Sequence, residues 1–206
     1  MSSAQQLRFL ALGDSYTIGH NVEIAERWPV QLVERLRGEG INISDAEIIA
    51  VSGWTTNQLQ EAVKTTVPQG PFDIVTLMIG VNNQYQGLDI DQYRSEFVDL
   101  LHQSVAFGKG DPSKVIVVSI PDWSVTPFAE GKNRAEAATK IDEFNAVNET
   151  EVAKVGGRYV DVTPISRRAE YEPHLLSSDG LHPSGAMYKL WVGIIVPECR
   201  AAMSGR

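Results

Sequence analysis

The run DIVTLMIGVNN at residues 73–83 sets an almost unbroken apolar segment, Ile74 to Ile79, directly against one glycine, a valine and two asparagines. A strand with no polar alternation has no solvated face, so it belongs inside a sheet covered on both sides, and such sheets are parallel. The polar residues that follow fall beyond its carboxyl end, where open parallel sheets bind ligands. Four further short runs share this character: RFLAL at 8–12, AEIIAV at 46–51, KVIVVSI at 114–120 and RYVDV at 158–162.

Helical periodicity fills the intervals between them. Trp28, Leu32, Val33 and Leu36 share one face of a segment over 28–37, with Pro29 suited to a first turn and Gly38 and Gly40 ending it. Tyr93, Phe97, Leu100 and Leu101 do the same over 89–107, as do Ile141, Phe144 and Val152 over 134–155. A last pattern over 184–201 turns Met187, Leu190, Trp191, Ile194 and Ile195 inward, with Pro197 expected to bend or stop it. Strands of this kind alternating with amphipathic helices predict a three-layer α/β/α sandwich around a five-stranded parallel sheet. The expected organisation is one domain over 1–206, a length at which a single core still grows without splitting.

Composition narrows the function classes. With 43% apolar and 21% charged residues the chain has the makeup of an ordinary globule. A formal charge of −8, uninterrupted by any basic run, argues against nucleic acid and anionic membrane surfaces as partners. MSSAQQLRFL lacks the basic and apolar regions of a secretory leader, so a cytoplasmic location is expected. The single Cys199 cannot form an internal disulfide and reads as a small apolar residue of the last helix. Oligomeric state is not legible at this level.

Inspecting the residue after each strand yields a constellation: Gly13-Asp14-Ser15, Ser52-Gly53-Trp54, Gly80-Val81-Asn82-Asn83 and, late in the chain, Asp179-Gly180-Leu181-His182. A serine hydroxyl attacks only when a base takes its proton, and an imidazole suits that task at neutral pH. His182 is the candidate base for Ser15, and Asp179, three residues earlier, can accept from its Nδ1 and fix the tautomer. The backbone N–H groups of Ser15 and Gly53 and the amide of Asn82 supply three donors for an oxyanion. Asp14 reads as a brace for the turn rather than a reacting group, and Gly13 as the residue that lets the chain turn sharply.

These blocks, GDSYT, SGWTT, GVNN and DGLHP, resemble those of the GDSL or SGNH hydrolases, and the resemblance extends over nearly the whole chain. It implies a flavodoxin-like α/β/α fold and hydrolysis of carboxylic esters of small molecules, with no cofactor. It assigns Ser15 as nucleophile, Gly53 and Asn82 as oxyanion donors, and Asp179 and His182 as the acid–base pair. The third block usually ends in Asp, and Asn83 stands there instead; a structural role is expected for it, since an amide still bonds neighbouring groups.

Other readings remain beside this one. A thioesterase or acyltransferase would use the same residues, and a non-catalytic carbohydrate- or protein-binding module would not need Ser15. A nucleotide-binding flavodoxin-like protein lacks its Gly-rich phosphate turn here. His174, Asp179 and His182 have metal-ligand chemistry, but their spacing matches no strong signature, and no metal is expected. His20 follows the nucleophile turn and is a candidate pocket residue, whereas His102 lies on a long helix. Trp54, Trp123 and Phe128 are candidates for the substrate pocket, and Tyr16 to Gly19 for its floor or rim.

Overall fold

The structure, a computed structural model, describes residues 6–204; the ends of the predicted domain, 1–5 and 205–206, lie outside the described residues. In chain order the elements are β1 (Leu7–Gly13), α1 (Ser15–Ile18), α2 (Trp28–Gly38), β2 (Ile43–Ala50), α3 (Thr56–Thr66), β3 (Ile74–Met78) and α4 (Val81–Tyr85). They continue as α5 (Ile90–Phe107), β4 (Val115–Val118), α6 (Arg134–Val155), β5 (Arg158–Val160), α7 (Thr163–Arg167) and α8 (Gly185–Ser204). The five strands form one parallel sheet in the order β2-β1-β3-β4-β5. That is the flavodoxin-like order.

The order follows from where the chain goes after β1. It moves outward to β2, returns past β1 to β3, and then continues in one direction through β4 to β5. Right-handed crossovers put the outward connection, α2, on one face and the connections that run the other way, α3, α5 and α6, on the opposite face. Packing agrees, with α2 against α8 on one side and α5 between α3 and α6 on the other. The strand order therefore reverses at the β1–β3 boundary, where a crevice opens at the carboxyl ends.

Local signals explain the element boundaries. Asp89 caps α5 by accepting from the amides of Asp91 and Gln92, at 3.0 and 2.9 Å. Pro29 sits in the first turn of α2, and Gly156 ends α6 in the left-handed conformation, with φ +80°. β3 and β4 are buried along their entire length, as their apolar runs require. Cys199 is buried in α8, and burial pushes its thiol up to about 12.

Three expectations need correction. The 43–50 strand is an edge strand whose exposure alternates, and Val51, read as part of it, lies beyond its end and is exposed. Pro197 does not stop the last helix, which runs on to Ser204. The carbonyl that the proline ring would crowd, four residues earlier, belongs to Gly193. Ile194, read as inward, faces outward, while Ile195 beside it is fully buried. The helix α3 carries too few apolar residues to announce itself: a reciprocal cap between Thr55 and Gln58 starts it, and only Leu59 and Val63 of its aliphatic residues are buried.

Candidate active site

The predicted nucleophile stands at the end of a central strand. β1 stops at Gly13, Asp14 accepts from the amide of Tyr16 at 3.0 Å, and Ser15 opens the single turn α1. Gly13 serves close approach rather than a left-handed turn. A Cβ there would lie 2.2 Å from Thr17 Oγ1 and 2.6 Å from the Met78 carbonyl, and Gly13 is absent from the glycines with positive φ among the described residues. Asp14 braces the turn as read, yet it does so from full burial, and desolvation raises its carboxyl to about 7 against the opposing effect of the Tyr16 amide.

The second and third blocks arrive from both sides of β1. Gly53, with φ +88°, sits in the turn of the loop after β2, and Asn82 lies in the first turn of α4, after β3. Asn82 Nδ2 donates to the Trp54 carbonyl at 2.9 Å and to Asp14 Oδ2 at 3.4 Å. The shorter bond orients the amide, and the longer one leaves its second hydrogen weakly held. Trp54 thus enters through its carbonyl; its ring is not part of the pocket wall and packs partly buried on the core, which corrects the expectation for it. Gly80, just before, holds φ +128° with Tyr93 against it, where a Cβ would meet the phenol oxygen at 2.5 Å.

Asn83 has the structural role expected of it. It is buried, accepts from the amide of Thr56 at 3.1 Å, and donates through Nδ2 to Thr56 Oγ1 at 2.7 Å. Thr56 Oγ1 in turn donates to the Glu96 carboxylate. The chain of donors runs one way, from Asn83 through Thr56 to Glu96, and joins the Asn82 loop to α3 and α5.

Asp179 and His182 come together on the turn before α8. His182 Nδ1 lies 2.7 Å from Asp179 Oδ2, while Asp179 Oδ1 accepts from the amides of Leu181 and His182 and from Ser177 Oγ, each at 2.9 Å. Partial burial would raise this carboxyl, but the bonds with His182, Leu181 and Ser177 outweigh it and bring it down to about 2. Burial lowers the pKa of His182, and the Asp179 hydrogen bond and charge oppose that shift. His182 therefore rests neutral at physiological pH, with its Nδ1 occupied.

Two aromatic rings flank His182: Tyr16, with centroids 5.2 Å apart, and His20, at 4.6 Å. His20 is a pocket residue, as expected, and its Nδ1 lies 2.9 Å from Ser52 Oγ. His174 is not part of this cluster. It is exposed, with Nε2 3.9 Å from Glu172, so the trio His174, Asp179 and His182 is not assembled. His102 is exposed on α5.

Ser15, Tyr16, His20, Gly53, Asn82 and His182 share the wall of one cavity of about 230 Å³, which Trp123 and Phe128 also line. Trp123 is held from behind by its indole N–H, which donates to Gln84 Oε1 at 2.8 Å, and its loop is pinned by Asp122, whose carboxylate pairs with Arg167 at 2.8 Å. Tyr85 completes an aromatic trio with Trp123 and Phe128, at centroid distances of 5.4 and 5.6 Å. Sequence reasoning passed over Tyr85. Its position three residues after Asn82 on a short helix, one turn away on the same face, is the signal that would have found it. Beyond Tyr85 and Trp123, which line both, a second cavity of about 490 Å³ is bordered by Gln84, Asp89, Lys132, Asn133, Glu136 and Lys140.

Residues 11–190 match the GDSL-like Lipase/Acylhydrolase family, and the chain belongs to that family. Its fold is shared with proteins of distant sequence. The lipase/acylhydrolase from Enterococcus faecalis is 22% identical, with TM-score 0.74 over 94% of this chain and 95% of that one. Axe2, an acetylxylan esterase from Geobacillus stearothermophilus, is 18% identical, with TM-score 0.75 over 97% of this chain and 96% of that one. The psychrotrophic esterase EstA from Pseudoalteromonas sp. is 15% identical, with TM-score 0.73 over 96% and 99%. No curated protein sequence matches the chain. Among the described residues no helix is long and apolar enough to cross a membrane.

Proposed function

We propose that the protein hydrolyses carboxylic esters of small molecules through an acyl-enzyme on Ser15. The observation that carries this reading is the 2.7 Å contact between Asp179 and His182 Nδ1, in a turn whose imidazole shares one cavity with Ser15, Gly53 and Asn82. An imidazole held at Nδ1 by an ionised carboxylate keeps Nε2 as its basic atom. His182 takes the Ser15 proton as Oγ bonds to the ester carbonyl carbon. The carbonyl oxygen, now negative, is held by the N–H groups of Ser15 and Gly53 and by the Asn82 amide, which gives up its long contact to Asp14. His182 then passes the proton to the leaving alkoxide, which departs as alcohol. Water repeats the sequence on the acyl-enzyme: His182 accepts its proton, and the acid leaves as the proton returns to Ser15. Each oxyanion donor is worth about two to three powers of ten in rate.

The two cavities bear on the substrate. A space of about 230 Å³ is below the range of sites that enclose a drug-sized ligand, roughly 300–1,000 Å³, and suits a small acyl group rather than a whole ester. The larger cavity carries lysines and carboxylates, which an alkyl chain would desolvate without compensation. We infer that the enzyme favours short acyl groups on polar partners. A fluorophosphonate probe and a p-nitrophenyl ester series from acetyl to long chains test both points. Parent protein labelled at Ser15, with turnover falling steeply as the acyl chain lengthens and lost in Ser15→Ala, is the expected outcome. Absence of label together with unchanged hydrolysis in Ser15→Ala sinks the hydrolase reading.

A further inference from the structure

The Asp179–His182 turn faces a third donor that the proposed mechanism does not use. One ligand atom each from His20, Asp179 and His182 lies within 4.8 Å of the others. We propose that these three residues form a binding site for a divalent transition-metal ion of the zinc class, and that its occupation switches the enzyme off. The second half rests on the ester-hydrolase reading above; the first does not.

Donor chemistry favours this class of ion. Two imidazoles and a carboxylate are a zinc-type set, unsuited to magnesium or calcium, which prefer all-oxygen cages. His20 is prepared as a ligand. Its Nδ1 meets Ser52 Oγ at 2.9 Å, an outer contact of the kind that orients ligating imidazoles, and Nε2 is the nitrogen left for an ion, with the hydroxyl turning to accept from Nδ1–H when Nε2 ligates. Its backbone is equally fixed, since its amide donates to the Ser15 carbonyl at 2.9 Å. Asn21, with φ +63°, reaches across to Ser178 Oγ at 3.0 Å and Ser177 Oγ at 3.4 Å, tying the His20 loop to the loop that carries Asp179.

The distances fit with one small adjustment. Ligands about 2.0–2.2 Å from a tetrahedral ion lie about 3.4 Å from one another. Separations of up to 4.8 Å therefore close by at most about 1.4 Å, while the Asp179–His182 Nδ1 pair, at 2.7 Å, opens by about 0.7 Å as the ion replaces its hydrogen. His20 and Asp179 are exposed, so the ion enters from solvent and the His20 ring can swing to meet it. Because Nδ1 is the His182 nitrogen that faces Asp179, an ion shared with Asp179 takes Nδ1. The ring's single proton then moves to Nε2, which has no lone pair left to accept the Ser15 proton. Zinc here is an exchangeable inhibitor rather than a cofactor.

Zinc binding is measured first, by competition with a chromophoric chelator on the full chain stripped with EDTA, so that the readout does not depend on catalysis. The parent and Ser15→Ala should take up one equivalent with equal affinity, and His20→Ala should lose at least about tenfold, with unchanged circular dichroism. No uptake by the parent, or equal affinity in His20→Ala, overturns the site. Zinc should also suppress p-nitrophenyl acetate hydrolysis by the parent, reversibly with EDTA, and suppress His20→Ala only at correspondingly higher concentration. Full activity of the zinc-loaded parent overturns the switch, whereas a metal-free parent that binds zinc but hydrolyses no ester overturns the hydrolase reading and leaves the site standing.

Discussion

Restoring the family's usual acid by Asn83→Asp should destabilise this protein, and a second substitution at Glu96 should rescue it. In the structure Asn83 Nδ2 donates to Thr56 Oγ1 at 2.7 Å, and that hydroxyl spends its single hydrogen on Glu96. An acid at position 83 has no hydrogen to offer, so one threonine hydroxyl would face two carboxylates and satisfy only one. Losing a buried hydrogen bond and stranding its acceptor costs about 1–3 kcal/mol. For a chain of this size that corresponds to roughly 2–12 °C in Tm. The sign with pH follows: burial and the second carboxylate raise the pKa of the new acid in the folded state above its unfolded value. The penalty is therefore present at pH 8 and fades as pH falls through the folded-state pKa, when protonation supplies the missing hydrogen.

Glu96→Gln reverses the polarity of the chain. Its amide can donate to Thr56 Oγ1, freeing the hydroxyl hydrogen for the acid at position 83. Urea denaturation of the parent, both single variants and the double variant at pH 5 and pH 8 gives the cycle directly. A coupling of at least about 1 kcal/mol at pH 8, smaller at pH 5, is expected. An Asn83→Asp variant as stable as the parent, or a double variant no better than the sum of the singles, would refute the one-way donor chain.

Asp179→Asn should cut kcat/KM for a short ester by about two to four powers of ten, because the amide no longer fixes the imidazole tautomer. In the same variant the acidic limb of the pH–rate profile should move downward, since the bond and charge that oppose the lowering of His182 by burial are gone; an unmoved limb would separate Asp179 from His182. Gly80→Ala should destabilise the fold by about 2 kcal/mol or more, because φ +128° and a 2.5 Å approach to Tyr93 Oη leave no room for a methyl group. Thermal unfolding checks it, and a loss below about 0.5 kcal/mol would show that the Tyr93 side chain yields.

The fold was readable because apolar runs such as Ile74 to Ile79 are buried on both faces, and only a covered parallel sheet provides that. Where burial is one-sided the reading weakened. The edge strand β2 alternates and was extended to Val51, and α3, held by a cap and two aliphatic residues, left no periodic trace. The positions of Ser15 and Asn82 were legible because their short polar blocks directly follow strands, and the Asp179–His182 turn because its acid and imidazole stand three residues apart and close on each other. Trp54 misled because a residue's chemistry says nothing of which way its side chain leaves the backbone. Trp54 turned its carbonyl to Asn82 and its ring to the core, while His174 stayed at the surface and His20, distant in sequence, took the place beside His182.

The blocks that mark this family mix two kinds of constraint, and the structure separates them. In GDSYT, Gly13 is required by the Thr17 side chain and the Met78 carbonyl, and Asp14 by the Tyr16 amide and the Asn82 side chain; Ser15, the nucleophile of the proposed reaction, lines the cavity together with Tyr16. In GVNN, Gly80 answers to Tyr93 and Asn83 to Thr56, leaving Asn82 as the residue whose amide is turned toward Ser15's strand. The supporting residues fix the neighbours of the working ones because β1 and β3 are adjacent in the sheet although β2 lies between them in the sequence. Asp14 shows how close the coupling is. Its carboxylate holds the hydrogen of Asn82 that an oxyanion would claim, and burial has already brought its pKa to about 7, so the group competing with the oxyanion is one whose negative charge is itself weakly favoured. A brace that held its charge firmly would keep Asn82; one whose charge burial disfavours can let it go.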